Sequence, residues 1–169
     1  QGAGQGGVTP TRVSVSGGSN IEPEKNLLLA AREIRARFPD AQFSRCYRNK
    51  SVGFDGPDFI NFAVVFSTTL PLADVNAELE RIEALCGRPP DAKRWEPRAM
   101  DLDILLYGDA VGVVDGLTLP RPSLLTWNFM LRPLAEIAPA FVHPVTGVSV
   151  SSLLAATPDK KRVLIYRPR

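Results

Sequence analysis

Cysteine, histidine and net charge are the scarce features of this sequence. It has two cysteines, Cys46 and Cys86, and one histidine, His143. Two thiols on separate predicted elements make neither a disulfide framework nor a metal-ligand cluster, and they suit a reducing cytosol. His143 sits in Phe141-Val142-His143-Pro144 on a predicted loop, with no metal or triad partner in view, so it reads as a structural histidine. No apolar run approaches the roughly 20 residues of a membrane span, and no signal-peptide pattern is seen. Together these lead us to expect a cytoplasmic protein with no membrane partner. Lysines and arginines number 20 against 18 acids, a net charge of +2, too small to argue for a nucleic-acid partner. Internal repeats are absent.

What is there fits one folded unit. A chain of 169 residues, 44% of them hydrophobic, has length and apolar content for one domain with a real core. Residues 1–10 are too glycine-rich to order themselves and read as a tail or an expression remnant. Residues 11–169 read as a single domain.

Most of the recognisable chemistry lies in the stretch from Arg94 to Gly108. From Ala99 to Tyr107 the chain is apolar except for Asp101 and Asp103, and Gly108 stops it, which predicts a short buried strand. Residues two apart in a strand share a face, so the two carboxylates stand side by side while Met100, Leu102 and Ile104 point the other way. On a helix they could not share a ligand. Two adjacent carboxylates on an apolar strand need a cation, and hard oxygen ligands suit Mg²⁺, which completes its shell with water and phosphate oxygens. The plainer alternative is two solvated acids on an edge strand. Upstream, Arg88, Lys93, Arg94 and Arg98 lie in a stretch broken by Pro89, Pro90 and Pro97, which reads as a long loop rather than a helix. Cations beside a Mg²⁺-binding pair make sense if the shared partner is a polyphosphate, which arginine grips bidentately. The alternative is surface salt bridges worth roughly 0–1 kcal/mol each. Trp95, in the same loop, is a candidate to stack on a flat ligand.

The remaining elements follow from periodicity. Thr11–Ser16 predicts a first strand, Gly17-Gly18-Ser19-Asn20 a tight turn, and residues 22–38 a helix with Leu27, Leu28, Ala31, Ile34 and Phe38 on one side. Residues 41–49 predict a second strand, 51–57 a loop, and 58–68 a third strand. Asn61 is an amide in that strongly apolar third strand, and if buried it needs partners. Residues 72–86 predict a second helix with Leu72, Val75, Leu79, Ile82 and Leu85 inward. Residues 109–116 predict a turn and 117–120 an extended segment. Helical spacing of Leu131, Leu134, Ala135 and Ala138 predicts a core helix. Residues 148–156 predict a short helix, and 160–169 a last strand or a tail. The order strand, helix, strand, strand, helix, strand predicts an α+β, ferredoxin-like βαββαβ sandwich, with helices on one face of an antiparallel sheet and additional C-terminal helical segments.

The run Arg94-Trp95-Glu96-Pro97-Arg98-Ala99-Met100-Asp101-Leu102-Asp103-Ile104-Leu105-Leu106-Tyr107-Gly108 resembles the signature of the 6-hydroxymethyl-7,8-dihydropterin pyrophosphokinase family. Phe129-Met130-Leu131-Arg132-Pro133-Leu134-Ala135-Glu136-Ile137-Ala138-Pro139 resembles that family's other strong stretch, and the resemblance covers roughly residues 11–155. It implies transfer of the β,γ-diphosphate of ATP to the hydroxymethyl group of the pterin, with release of AMP, in folate biosynthesis. It implies ATP as co-substrate, two Mg²⁺ held by Asp101 and Asp103, and Arg88 and Arg98 closing over the β- and γ-phosphates. Phe59, Asn61, Trp95 and Phe129 would seat the pterin, and Glu83, Ile104, Thr118 and Arg121 would lie on the nucleotide. The glycine-rich segment after the first strand is read as structural. A monomer is expected.

Three places depart from the family pattern. Asn49-Lys50 stands where Thr-Pro is usual after Tyr-Arg. Arg121-Pro122 replaces a His-containing pair, and Trp127 replaces an arginine. Arg121 could replace a histidine as phosphate donor, whereas Trp127 could not replace an arginine electrostatically. These departures motivate a first alternative, a divergent paralogue that binds pterin with lost or altered nucleotide use. A second is an RNA-binding ferredoxin-like module, against which the low net charge and the acid pair argue.

Overall fold

A computed structural model describes residues 9–50, 56–87, 99–159 and 163–166. Its centre is an antiparallel sheet. Strand β1 (Thr11–Ser19) lies between β4 (Phe59–Thr68) and β5 (Asp101–Tyr107); β4 continues to the short strands β2 (Gln42–Phe43) and β3 (Tyr47–Asn49), and β3 to β8 (Leu164–Ile165). Helix α1 (Pro23–Arg37) follows β1, and α2 (Leu72–Leu85) follows β4. A hairpin of β6 (Gly112–Val114) and β7 (Leu117–Leu119) leads to a 3-10 turn, then to α3 (Asn128–Ile137) and α4 (Val150–Ala156).

Alternation along the strands sorts the side chains onto two faces. Val13 and Val15 of β1, Ile60, Phe62, Val64 and Phe66 of β4, and Leu102 and Ile104 of β5 pack with Leu27, Ile34, Val75, Leu79 and Ile82 of the first two helices. Phe38 stacks on Phe66 with ring centroids 3.9 Å apart. The intervening residues Ala63, Val65, Leu105 and Leu106 join a second core with Leu131, Leu134 and Val150 from α3 and α4. Two successive residues, Leu105 and Leu106, share this second face because the β1–β5 register slips between Ser14 and Val15, a bulge that leaves Leu105 without an opposite number. The acid strand is therefore at a sheet edge yet buried through most of its length, covered from both sides.

The structure departs from the sequence expectations at several places. Helices cover both faces of the sheet, not one, because the stretch after Pro122 is long enough to return across the second face. Gly17 and Gly18 do not form a turn; β1 runs straight through them. A Cβ on Gly17 would stand 2.3 Å from the Phe62 ring, and one on Gly18 would stand 2.5 Å from Asn61 Oδ1, so the glycines serve close approach rather than reversal. The strand expected over 41–49 is split into β2 and β3. Ser44, between them, accepts from the Ala63 amide through its hydroxyl and donates its own N–H to the Ala63 carbonyl (2.8 and 2.9 Å). Leu28 and Leu85 are exposed, and Ala30 and Cys86 take the inward places expected of them. Residues 109–116 are not only a turn: they include β6, closed by Asp115 and Gly116 at positive φ. The basic end forms the short β8 at Leu164–Ile165. Among the described residues, no helix is long and apolar enough to cross a membrane.

Candidate active site

The register of β4, β1 and β5 builds the floor of a site on the second face. Asn61 pairs with Gly18, and Gly18 with Asp101; Ala63 pairs with Ser16, and Ser16 with Asp103. Two rows thus run across the sheet, amide–glycine–carboxylate and alanine–serine–carboxylate. Adjacent strands are about 4.8 Å apart, so Asn61 and Asp101 stand about 10 Å apart across Gly18. The floor between them is low because β1 offers only Gly18 and Ser16 there. Asp101 and Asp103 share this face, while Leu102 and Ile104 are in the first core, as strand alternation required. Both acids are half-buried.

The edge of β5 is secured by two side elements. Glu83 of α2 accepts from the backbone N–H of Leu102 at 2.7 Å, between the two aspartates. The backbone N–H of Arg121 donates to the Leu105 carbonyl at 2.9 Å, and its guanidinium Nη2 lies 3.2 Å from Asp103 Oδ1. The acid pair thus draws a cation, as its charge and partial burial demand. The same donor set, two hard carboxylates on one face, fits Mg²⁺, which takes one or two carboxylates and leaves the rest of its shell to water and phosphate. Among the described residues no group of three or more His, Cys, Asp or Glu side chains is placed to hold a metal ion.

The other half of the floor is aromatic and amide. Phe59, half-buried, stands on the same face as Asn61, which is buried. Asn61 Nδ2 donates to Asn49 Oδ1, and Asn49 Nδ2 donates to the Lys50 carbonyl at 2.9 Å. Phe129 sits in the first turn of α3, which packs over β4, the strand of Phe59 and Asn61. Its ring lies 5.9 Å from that of Trp127. Asp159 accepts from the Asn128 N–H at 2.9 Å and so caps the start of α3.

The far end of α3 is held by a cluster that sequence reasoning did not pick out. Glu136 accepts from the Arg45 backbone N–H at 3.1 Å, pairs with the Arg45 guanidinium at 3.2 Å, and accepts from the buried Tyr47 hydroxyl. Burial pushes the Glu136 carboxyl up, but the Tyr47 and Arg45 hydrogen bonds together outweigh it and hold it below its ordinary value. Burial, reinforced by Glu136, pushes the Tyr47 hydroxyl up. The available signal was Tyr47 sharing strand parity with Asn49, and Glu136 as the lone acid of its helix.

Of the residues singled out from sequence, Asp101, Asp103, Asn61, Phe59 and Arg121 meet on or beside one face. Glu83 reaches the strand's main chain. Ile104 has its side chain buried in the first core beside Val15, leaving only its backbone to face a ligand. Thr118 is exposed on β7. Arg88, Trp95 and Arg98 lie outside the described residues.

Comparison with known proteins gives one consistent answer. Residues 14–139 match the family model described as 7,8-dihydro-6-hydroxymethylpterin-pyrophosphokinase (HPPK). The chain is 35% identical over 140 residues to a Synechocystis protein named 2-amino-4-hydroxy-6-hydroxymethyldihydropteridine pyrophosphokinase, covering 81% of this chain and 71% of that one. It is 35% identical over 151 residues to the Pseudomonas aeruginosa protein of that name, covering 87% and 92%. A Pneumocystis carinii folic acid synthesis protein is 34% identical over 143 residues, which span 83% of this chain and 19% of that longer one. Among solved structures, an HPPK-DHPS in complex with substrates has a TM-score of 0.65 at 12% identity, and a Plasmodium falciparum HPPK-DHPS has 0.65 at 13%. This chain spans about two fifths of each, 43% and 41%, so the likeness is to one part of those chains and concerns the fold.

Proposed function

From the premise that this chain belongs to the 7,8-dihydro-6-hydroxymethylpterin-pyrophosphokinase family, we propose how its own residues carry out the reaction. The chain is a pyrophosphokinase of folate biosynthesis, with ATP as diphosphate donor and the hydroxymethyldihydropterin as acceptor. The sheet order, with β1 between β4 and β5 and helices after β1 and β4, is read as ferredoxin-like, with residues 11–169 as one domain acting as a cytoplasmic monomer. The observation that carries the site assignment is the pair of cross-strand rows, which bring an amide and two carboxylates to one face with only Gly18 and Ser16 between.

Asn61 and Phe59 form the pterin end, and Phe129, at the mouth of α3, closes it. A side-chain amide offers both a donor and an acceptor, matching the mixed edge of a pterin ring. Asp101 and Asp103 are the residues that would hold Mg²⁺, as two ions. When bound, the metal neutralises phosphate charge and orients the transferred group. Arg121, now on Asp103, is placed to turn to a phosphate oxygen, and Arg88 and Arg98 are assigned to the β- and γ-phosphates. Glu83 contributes by holding the Leu102 main chain, and with it the spacing of the two carboxylates. Trp95 is assigned to the pterin, and the Ile104 backbone and Thr118 to the nucleotide. No side chain is assigned as base for the hydroxymethyl proton; positioning the oxygen in line with the β-phosphorus supplies the larger effect.

The test is AMP release from ATP and Mg²⁺ with and without 6-hydroxymethyl-7,8-dihydropterin. Pterin-dependent AMP is expected. A folded protein that binds the pterin and forms no AMP would favour the paralogue with altered nucleotide use, which Trp127 in place of an arginine motivates. Against the RNA-module reading, which needs an uncovered sheet face for stacked bases, α3 and α4 pack over much of the second face.

A further inference from the structure

Asn49 stands at one of the departures from the family pattern, and its surroundings give it a role. Strand pairing sets it opposite Phe59 and diagonal to Asn61, on the face that carries the acids. Its amide nitrogen donates to the Lys50 carbonyl at 2.9 Å, which turns its oxygen toward Asn61. Asn61 Nδ2 donates to that oxygen. On the other side of Asn61, its Oδ1 lies against Gly18, where a Cβ would come within 2.5 Å. A primary amide has two nearly isosteric orientations, and a ligand with a fixed donor and acceptor edge binds only one of them well. Asn61 is buried and cannot sample both freely in water.

We propose that Asn49 is a positioning residue that fixes the orientation of the Asn61 amide, with oxygen toward β1 and nitrogen toward β3, and thereby sets which edge of a heterocycle the slot accepts. The proposal rests on the pterin-binding reading above. The slot selects a ring edge that presents an N–H donor on the β1 side, beside an acceptor for the remaining Asn61 N–H. The backbone carbonyl of Lys50 orients Asn49, which orients Asn61. A threonine here would offer a hydroxyl that both donates and accepts, and would leave the Asn61 amide less strictly oriented.

The experiment compares pterin binding, followed by pterin fluorescence, with steady-state kinetics. The variants are Asn49→Leu, which keeps the branched shape and loses the acceptor, and Asn49→Asp, which keeps the acceptor. For Asn49→Leu the pterin Kd and KM are expected to rise about tenfold, the loss of roughly one hydrogen bond's worth of orientation. Its kcat at saturating pterin and its KM for ATP are expected to stay within about twofold. Asn49→Asp, which keeps the acceptor but loses the bond to the Lys50 carbonyl, is expected to recover part of the loss. In an Asn61→Ala background, Asn49→Leu is expected to add nothing, since its effect runs through Asn61. Unchanged pterin affinity in folded Asn49→Leu, or effects that multiply with Asn61→Ala, would overturn the proposal. Should leucine prevent folding, Asn49→Ala carries the same comparison. Wild-type protein that binds pterin but forms no AMP would defeat the functional reading, and the binding constants would still decide the role of Asn49; wild type that binds no pterin would defeat both.

Discussion

The two faces of one sheet are made from the same strands and differ in almost everything else. On the α1–α2 side, β1, β4 and β5 present Val13, Val15, Ile60, Phe62, Val64, Leu102 and Ile104, all buried and apolar. On the other side the same strands present Ser14, Ser16, Gly18, Asn61, Asp101 and Asp103, with Ala63, Val65 and Leu105 where α3 covers them. The two sets alternate along the chain, so residues that hold the fold and residues that hold the substrate are sequence neighbours with separate environments. A one-residue slip in register would exchange them. The lesson is that strand parity, more than distance along the chain, separates stability from chemistry here.

That separation predicts opposite phenotypes for neighbouring positions. Asp103→Ala is expected to lower pterin-dependent AMP formation by about 10³-fold, since it removes a metal-binding carboxylate, while thermal stability changes little. Full activity in the folded variant would end the assignment of Asp103. Phe62→Ala, next to Asn61 in sequence but on the other face, is expected to destabilise by about 3–5 kcal/mol through the cavity it leaves, with pterin affinity retained while the protein stays folded. Denaturant titration measures the first effect and fluorescence titration the second. A Phe62→Ala protein as stable as wild type would break the comparison from the structural side.

Glu136 tests the case of one residue that serves both the fold and the substrate. Glu136 lies at the end of α3 opposite Phe129 and ties that helix to Arg45 and Tyr47. Removing it leaves a buried tyrosine hydroxyl without its acceptor, which costs about 1–3 kcal/mol. Because α3 carries Phe129, Glu136→Ala is expected to raise the pterin KM several-fold as well, with the ATP KM unchanged. Glu136→Gln, which keeps an acceptor, is expected to restore most of both. A stability loss with no change in pterin KM would assign the cluster to the fold alone.

Much of this was legible in the sequence, and for a physical reason. Period-two alternation over Ala99–Tyr107 put Asp101 and Asp103 on one side and Leu102 and Ile104 on the other, and the structure has them so. The helices over residues 22–38 and 72–86 were legible from apolar spacing, although Leu28 and Leu85 face solvent. What alternation could not convey is who stands opposite whom. Gly17-Gly18 read as a turn because glycine pairs commonly are turns; only the arrival of Phe62 and Asn61 from β4 shows that the glycines make room. The covering of the second face was missed because βαββαβ order says nothing of where a later helix returns. The Tyr47–Glu136 tie joins residues 89 apart in sequence, beyond any local pattern.

The smallest effect concerns a residue of neither face. His143, expected to be structural, is buried, and its Nδ1 accepts from the backbone N–H groups of Val145 and Thr146 at 3.3 and 3.2 Å. Acceptance at Nδ1 requires the neutral ring with its proton on Nε2. Burial lowers its pKa below the ordinary histidine value. In the unfolded chain it titrates near about 6.5. Below that pH the unfolded state takes up the proton that the folded state refuses, so stability falls as pH drops from the unfolded pKa through the lower folded one. Above the unfolded pKa both states are neutral and the contribution is constant. Thermal unfolding at about pH 7 and about pH 5 measures this directly: the wild-type midpoint is expected to fall more than that of His143→Gln, which cannot titrate, while pterin affinity shows no matching difference between the two proteins. An equal fall in both would mean that protonating His143 costs the fold nothing, and that the loop after α3 is held by its backbone bonds, Gly147 N–H to the His143 carbonyl and His143 N–H to the Val148 carbonyl, rather than by the ring.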